Sequence, residues 1–98
     1  MATSVDFEVA ARAEFDNAFD WYTQRSHGAA LGFASEVDAA IELIVADPER
    51  FPVSYAGCQS CSLNRYPYQV IYYRAYGTII VVAIAHAKRR PGFWLERL

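Results

Sequence analysis

A chain of 98 residues, 54% of them apolar, is long enough for one compact domain, which we expect to span residues 1–98. The formal net charge of −2 and the single lysine argue against a broad basic surface of the kind that binds nucleic acid. No stretch reaches the roughly 18 apolar residues of a membrane span, and the start of the chain does not resemble a signal peptide, so we expect a cytoplasmic protein with no membrane partner.

The first half of the chain predicts one strand and two helices. Residues 3–8 alternate apolar with polar side chains, which is typical of a half-buried strand. Apolar residues then recur at helical spacing over Ala10–Ser26 and again over Ala29–Ala46. We expect His27-Gly28 to end the first helix, because glycine tolerates the left-handed conformation found at many helix C-termini. So short a link predicts an antiparallel helical hairpin.

The second half predicts three strands in an antiparallel meander. A loop over Phe51–Ser60 leads to a short strand at Cys61–Arg65. Residues 68–75 are rich in β-branched and aromatic types, Tyr76-Gly77 offers a turn, and Thr78–Ala85 forms the last strand. The expected fold class is α+β, with one sheet and the helical hairpin on one of its faces.

The last predicted strand is apolar on both faces. Strict alternation divides its apolar side chains into two sets: Ile80, Val82 and Ile84 on one face and Ile79, Val81 and Ala83 on the other. Because the helices cover only one face of the sheet, we expect a partner chain to cover the other. Beyond this strand, Pro91 predicts the first position of a short C-terminal helix that Trp94 anchors to the domain.

Two cysteines, Cys58 and Cys61, are separated by two residues, a spacing shared by redox and zinc motifs. The pair follows a loop and leads into a strand, whereas the thioredoxin-type motif begins a helix. A structural zinc site needs four ligands, and only two histidines could complete one. We therefore expect no metal and no cofactor, and the role of the two thiols stays open.

Charge is unevenly distributed along the chain. Residues 1–56 carry ten acidic side chains and three arginines, whereas residues 57–98 carry six basic side chains and one glutamate. The C-terminal half should therefore attract an acidic partner. The candidate residues for binding a target or partner are its basic side chains and one tryptophan: Arg65, Arg74, Lys88, Arg89, Arg90, Trp94 and Arg97.

Two motifs of the second half resemble a known family. Tyr66-Pro67-Tyr68 opens a strand, and residues 86–97 follow the pattern His-x-x-Arg-x-Pro-x-x-Trp-x-x-Arg. With the strand, the helices and the Asp47–Pro52 segment, the chain resembles the RelE/ParE superfamily of bacterial toxins, often called plasmid stabilisation proteins, and within it the ParE-like branch. The resemblance implies the toxin of a type II toxin–antitoxin module, neutralised by a cognate antitoxin.

The superfamily contains two mechanisms, and the resemblance alone does not choose between them. ParE-like members inhibit DNA gyrase, whereas RelE-like members cut mRNA on the ribosome. Cutting RNA needs an acid, a base and cations in convergent positions, for which Arg65, Tyr68 and His86 are the candidates, with Arg74, Lys88, Arg89 and Arg90 as further cations. The scarcity of lysine and the absence of a cation from residues 51–60 favour the gyrase inhibitor, which needs no catalytic residues.

The sequence is also compatible with simpler roles for His86 and for the whole chain. His86 is more simply a structural imidazole at a strand end than a catalytic one. The chain can be an inactive member of the superfamily that only binds its antitoxin. Whether it forms a homodimer or a hetero-oligomer with that antitoxin stays open.

Overall fold

The computed structural model describes residues 4–98 and has the predicted α+β class. Thr3, with which the predicted first strand begins, lies outside the described residues. Short 3₁₀ turns occur at Tyr55–Gly57 and Leu95–Arg97. The main elements are β1 (Ser4–Phe7), α1 (Val9–Arg25), α2 (His27–Ala46), β2 (Gln59–Ser62), β3 (Tyr68–Ala75) and β4 (Thr78–His86). Within residues 4–98, no helix combines the length and hydropathy that crossing a bilayer requires.

The two helices form the predicted hairpin, but its link is shorter than expected. Ser26 alone separates α1 from α2, and His27-Gly28 begins the second helix instead of ending the first. The reason is that Ser26 serves both ends: its backbone N–H donates to Tyr22 O at 2.8 Å, and its hydroxyl accepts from Ala29 N at 3.2 Å. This serine cap satisfies backbone groups that would otherwise lack partners.

The strands lie side by side in the order β1-β4-β3-β2. This order differs from the description based on the sequence, which gives the strands in their order along the chain. The three later strands form the predicted antiparallel meander, but β2 covers Gln59–Ser62 and not the predicted Cys61–Arg65. β1 lies beside the last strand and runs parallel to it. The helical hairpin supplies the crossover that a parallel pair requires, and β4 becomes an inner strand.

β4 contains a bulge that the alternation of its sequence does not predict. Tyr72 lies opposite Val81 and Ile71 lies opposite Ala83, so Val82 is an extra residue. Val82 and Ala83 therefore contact the same apolar cluster, while Ile84 rejoins the helix side. The predicted grouping of Val82 with Ile84 is thus wrong, because a bulge shifts the alternation by one residue.

Each face of the sheet has an apolar cluster supplied by this chain. On the helix side, Phe33 and Tyr72 are fully buried. On the opposite face, Cys58 and Trp94 pack with Ile71 and the residues after the bulge. The expectation that a partner chain covers the second face of the last strand is therefore wrong, because the segments around Cys58 and Trp94 cover it.

The predicted C-terminal helix is reduced to the 3₁₀ turn Leu95–Arg97. Gly92 has φ of +79°, a left-handed conformation that interrupts any helix beginning at Pro91. Trp94 is nevertheless anchored as expected, with 5% of its surface exposed. Its indole N–H is buried without a hydrogen-bond partner among the described residues, so burial of the ring is its main contribution.

Replacing Trp94 should expose the second cluster. We expect Trp94→Ala to lower the free energy of unfolding by about 3 kcal/mol or more, because a large buried ring leaves a cavity. Trp21→Ala is the matched control, since the ring of Trp21 is 49% exposed. Urea titration of both variants measures the difference, and equal losses would contradict the anchoring role.

Buried thiols and phenols should make the protein less stable at alkaline pH. Burial raises the pKa of the Cys58 and Cys61 thiols and of Tyr22, Tyr68 and Tyr72. The unfolded chain therefore loses these protons at lower pH than the folded one. The stabilisation is complete below the unfolded pKa and is lost as the pH rises through the folded pKa.

In urea titrations, the midpoint should fall once the pH exceeds about 8.5, the ordinary pKa of a thiol. A chain with Cys58→Ala and Cys61→Ala retains only the tyrosines, so its decline should begin nearer to about pH 10. A midpoint that stays constant to about pH 11, beyond the ordinary pKa of a phenol, would contradict the predicted sign. Identical curves for both chains would show that the thiols do not cause the loss of stability at alkaline pH.

Candidate functional site

A cleft of about 500 Å³ lies between α1 and the neighbouring ends of β3 and β4. A second cleft of about 360 Å³ shares Tyr68, His86 and Arg89 with it and continues toward Arg90 and Phe93. The first cleft is lined by Glu14, Asn17, Ala18, Trp21, Tyr22, Pro67, Tyr68, Ile84, His86 and Arg89.

Tyr68 and His86 form the wall between the two clefts. They are paired across β3 and β4, and their rings meet edge to face with centroids 4.9 Å apart. His86 Nδ1 accepts a hydrogen bond from the Lys88 backbone N–H at 3.0 Å, which assigns the ring proton to Nε2. Burial raises the pKa of Tyr68, so its hydroxyl remains protonated at neutral pH.

The charged groups of the first cleft are paired with each other. Glu14 forms a two-pronged ion pair with Arg97, with distances of 3.0 Å and 2.9 Å, and each side chain is 16% exposed. This pairing raises the pKa of Arg97. Arg89 approaches Glu14 at 3.9 Å, and its guanidinium lies 3.9 Å from the centroid of the Phe93 ring. The cleft therefore combines aromatic walls with a carboxylate that is already neutralised.

Arg65 lies on a separate loop that α2 holds in place. The backbone N–H groups of Asn64 and Arg65 donate to the Glu36 carboxylate at 2.8 Å and 3.1 Å. Tyr66 donates to Ala29 O, and its hydroxyl passes so close to Gly32 that a Cβ there would lie 2.5 Å from it. The Arg65 side chain is exposed but lines neither cleft beside Tyr68.

The remaining predicted residues divide between a distant strand end, an exposed turn and the interior. Arg74 lies six positions along β3 from Tyr68, roughly 20 Å away, and lines another cleft with Leu98. Lys88, Arg89 and Arg90 are exposed on the turn after β4, whereas Trp94 and Arg97 are largely enclosed by the chain. The structure thus joins Tyr68, His86 and Arg89 but leaves Arg65 and Arg74 apart. Binding roles for all these residues stay predictions.

Three lining residues have no functional role that the sequence indicates. Glu14 resembles any polar position on the outside of an amphipathic helix, and nothing in the sequence indicates its contact with the sheet. Trp21 and Tyr22 have the pattern of packing residues. Trp21 is nevertheless 49% exposed at the cleft, with the Arg25 guanidinium 3.5 Å from its ring centroid. The sequence feature that could have indicated a role for Trp21 is its position late in α1, outside the apolar stripe of that helix.

The two cysteines do not form a site together. Both are free and buried, but Cys58 belongs to the apolar cluster on one side of the sheet and Cys61 to that on the other. Among residues 4–98, no group of three or more metal-binding side chains occurs. Burial raises the pKa of both thiols, which disfavours the reactive thiolate.

Comparison with known proteins places this architecture among the toxins. The solved structure described as "Chromosomal ParDE TA system from P. aeruginosa" superposes with a TM-score of 0.73, covering 89% of this chain and 98% of that one at 20% identity. Comparison with curated proteins finds no significant match. The family model of the ParE toxin of the type II toxin–antitoxin system parDE matches residues 5–91. This chain therefore belongs to the ParE toxin family of type II toxin–antitoxin systems.

Proposed function

We propose that this chain arrests bacterial growth by inhibiting DNA gyrase and that a cognate antitoxin neutralises it. Membership of the ParE family supports a toxin. The observation that carries the choice of mechanism is the pairing of charges in the first cleft. Glu14 is held by Arg97 and approached by Arg89, so among the described residues this cleft offers no free carboxylate base.

The positions of the predicted nuclease residues support the same choice. A ribonuclease needs an acid, a base and cations around one phosphate. His86 uses Nδ1 to accept the Lys88 N–H, and the raised pKa of Tyr68 keeps its hydroxyl protonated at neutral pH, so little phenolate is available as a general base. Arg65, the third candidate, lies outside the clefts that Tyr68 and His86 line.

One observation favours a RelE-like activity instead, that of a ribosome-dependent mRNA endonuclease. Tyr68 and His86 are in contact at a cleft edge, with Arg89 lining the same two clefts. His86 Nε2 carries a proton and is the available donor. This activity would make the chain an enzyme, and a supercoiling assay separates it from gyrase inhibition. An inactive antitoxin-binding member would not arrest growth at all.

The neutralising partner is proposed to be an acidic segment that binds the basic half of the toxin. The six basic residues after position 57 face a single acidic residue in the same half, which favours a partner of opposite charge. Aromatic side chains at the first cleft, including the half-exposed Trp21, provide apolar contacts for such a segment. Co-purification and calorimetry with the product of the adjacent gene measure this binding.

A supercoiling assay with purified toxin tests the mechanism. We expect the chain to block supercoiling by gyrase, or to trap cleaved DNA, while transcripts in arrested cells stay intact. His86→Ala should retain most of this inhibition, because no proton transfer is required. A nuclease would instead lose about a hundredfold or more in rate with His86→Ala. Codon-phased mRNA cleavage in a translating extract would contradict gyrase inhibition.

Exposed arginines of the basic half should contribute to toxicity and little to stability. We expect Arg65→Ala, Arg74→Ala, Arg89→Ala and Arg90→Ala each to relieve growth arrest with a nearly unchanged thermal midpoint, since exposed charges stabilise weakly. Arg12→Ala is the matched control, because Arg12 is also exposed but lies in the acidic half and pairs only with Asp16 among the described carboxylates. Full toxicity of all four variants would exclude the basic half as the effector surface.

A further inference from the structure

The tip of the β3–β4 hairpin presents a fully exposed tyrosine in an unfavourable backbone conformation. Tyr76 and Gly77 form a two-residue turn in which both have positive φ, 51° and 77°. These values identify a type I′ turn, for which asparagine, aspartate or glycine is usual at the first position. The relative accessible surface of Tyr76 is 107%, so no burial of its ring offsets the strain.

The only other non-glycine residue with positive φ among residues 4–98 has a structural explanation. Ala56, at φ 55°, lies in the 3₁₀ turn that brings the fully buried Cys58 under Trp94. Backbone hydrogen bonds from Ser54 N to Cys58 O and from Cys58 N to Tyr55 O close that turn. The strain at Ala56 is therefore offset by packing. Within the described residues, no comparable contact involves the Tyr76 ring.

An exposed cation accompanies this ring. Arg74 lies two residues before Tyr76 on the same hairpin and has no carboxylate within 4.0 Å among residues 4–98. Tyrosine and arginine are the side chains that, with tryptophan, most often dominate the energy of protein–protein interfaces. A tight turn also fixes the backbone that presents the ring, which lowers the backbone entropy lost on binding.

We propose that Tyr76 and Arg74 are contact residues through which the toxin binds its protein target, with Tyr76 entering an apolar pocket whose rim carries carboxylates. The inference rests on the proposed function and names a surface for it. A protein fits this hairpin better than a nucleic acid does, because residues 68–86 contain a single cation and binding to phosphates needs several.

Two substitutions of the same residue separate contact from folding. Tyr76→Asn supplies the residue that the turn prefers, so the thermal midpoint should rise by about 2–4 °C. Despite this, its inhibition of gyrase should weaken about tenfold or more, because the ring is lost. Tyr76→Phe keeps the ring and should inhibit more strongly than Tyr76→Asn. Dose–response curves in the supercoiling assay measure both.

The outcomes distinguish this inference from the proposed function. If the wild-type chain inhibits gyrase and Tyr76→Asn inhibits equally well, the contact is overturned while gyrase inhibition stands. If the wild-type chain arrests growth without inhibiting gyrase, the proposed target is wrong, and growth arrest by the same variants tests the contact. Undiminished arrest by Tyr76→Asn then overturns it. Weaker binding of this variant to duplex DNA, with binding to DNA-free gyrase unchanged, excludes the protein pocket. A wild-type chain that neither arrests growth nor inhibits gyrase overturns both proposals.

Discussion

The Glu14 carboxylate is the point at which the helical layer, the sheet and the C-terminal segment are joined. It accepts a hydrogen bond from the backbone N–H of Ile84, in the part of β4 that extends beyond the end of β1. It also forms two parallel hydrogen bonds with Arg97. The Arg97 guanidinium donates in addition to the carbonyl of Val82, the extra residue of the bulge. A bulge leaves such a group outside the ladder, and a buried carbonyl needs a donor. Removing one member of a largely buried ion pair typically costs about 3–5 kcal/mol, so the bulge, the tail and α1 depend on one another.

The same carboxylate determines what the first cleft can do. Glu14 is the only acidic residue that lines this cleft within residues 4–98, and its charge is compensated by Arg97 and Arg89. Besides His86 and Asn17, what remains available is mainly aromatic and apolar surface, which provides contacts for recognition. The Glu14 carboxylate therefore stabilises the fold through its hydrogen bonds to Ile84 and Arg97. A cleft built in this way suits a toxin that acts by binding.

Local patterns in the sequence predict local structure well and long-range pairing poorly. The helices follow from apolar spacing, and the β3–β4 hairpin from Tyr76-Gly77 between two apolar strands. The place of β1 beside β4 did not follow, because four residues carry little register information. The bulge at Val82 depends on a donor fifteen positions later, which no period in the strand reveals. Two sequence motifs indicate Tyr68 and His86 as candidate site residues, whereas no motif or spacing indicates Glu14.

The distribution of cations gives the clearest indication of the kind of target. Arg65 lies on the loop held by Glu36, Arg74 lies at the far end of β3, and Lys88, Arg89 and Arg90 lie together on the turn after β4, so the cations occupy three separate positions. A phosphate-binding site gathers cations around one position, because each phosphate neutralised adds to affinity. Dispersed cations instead match an extended protein interface in which a few separate anchors carry most of the binding energy. Charge placement thus supports the proposal that the target is a protein.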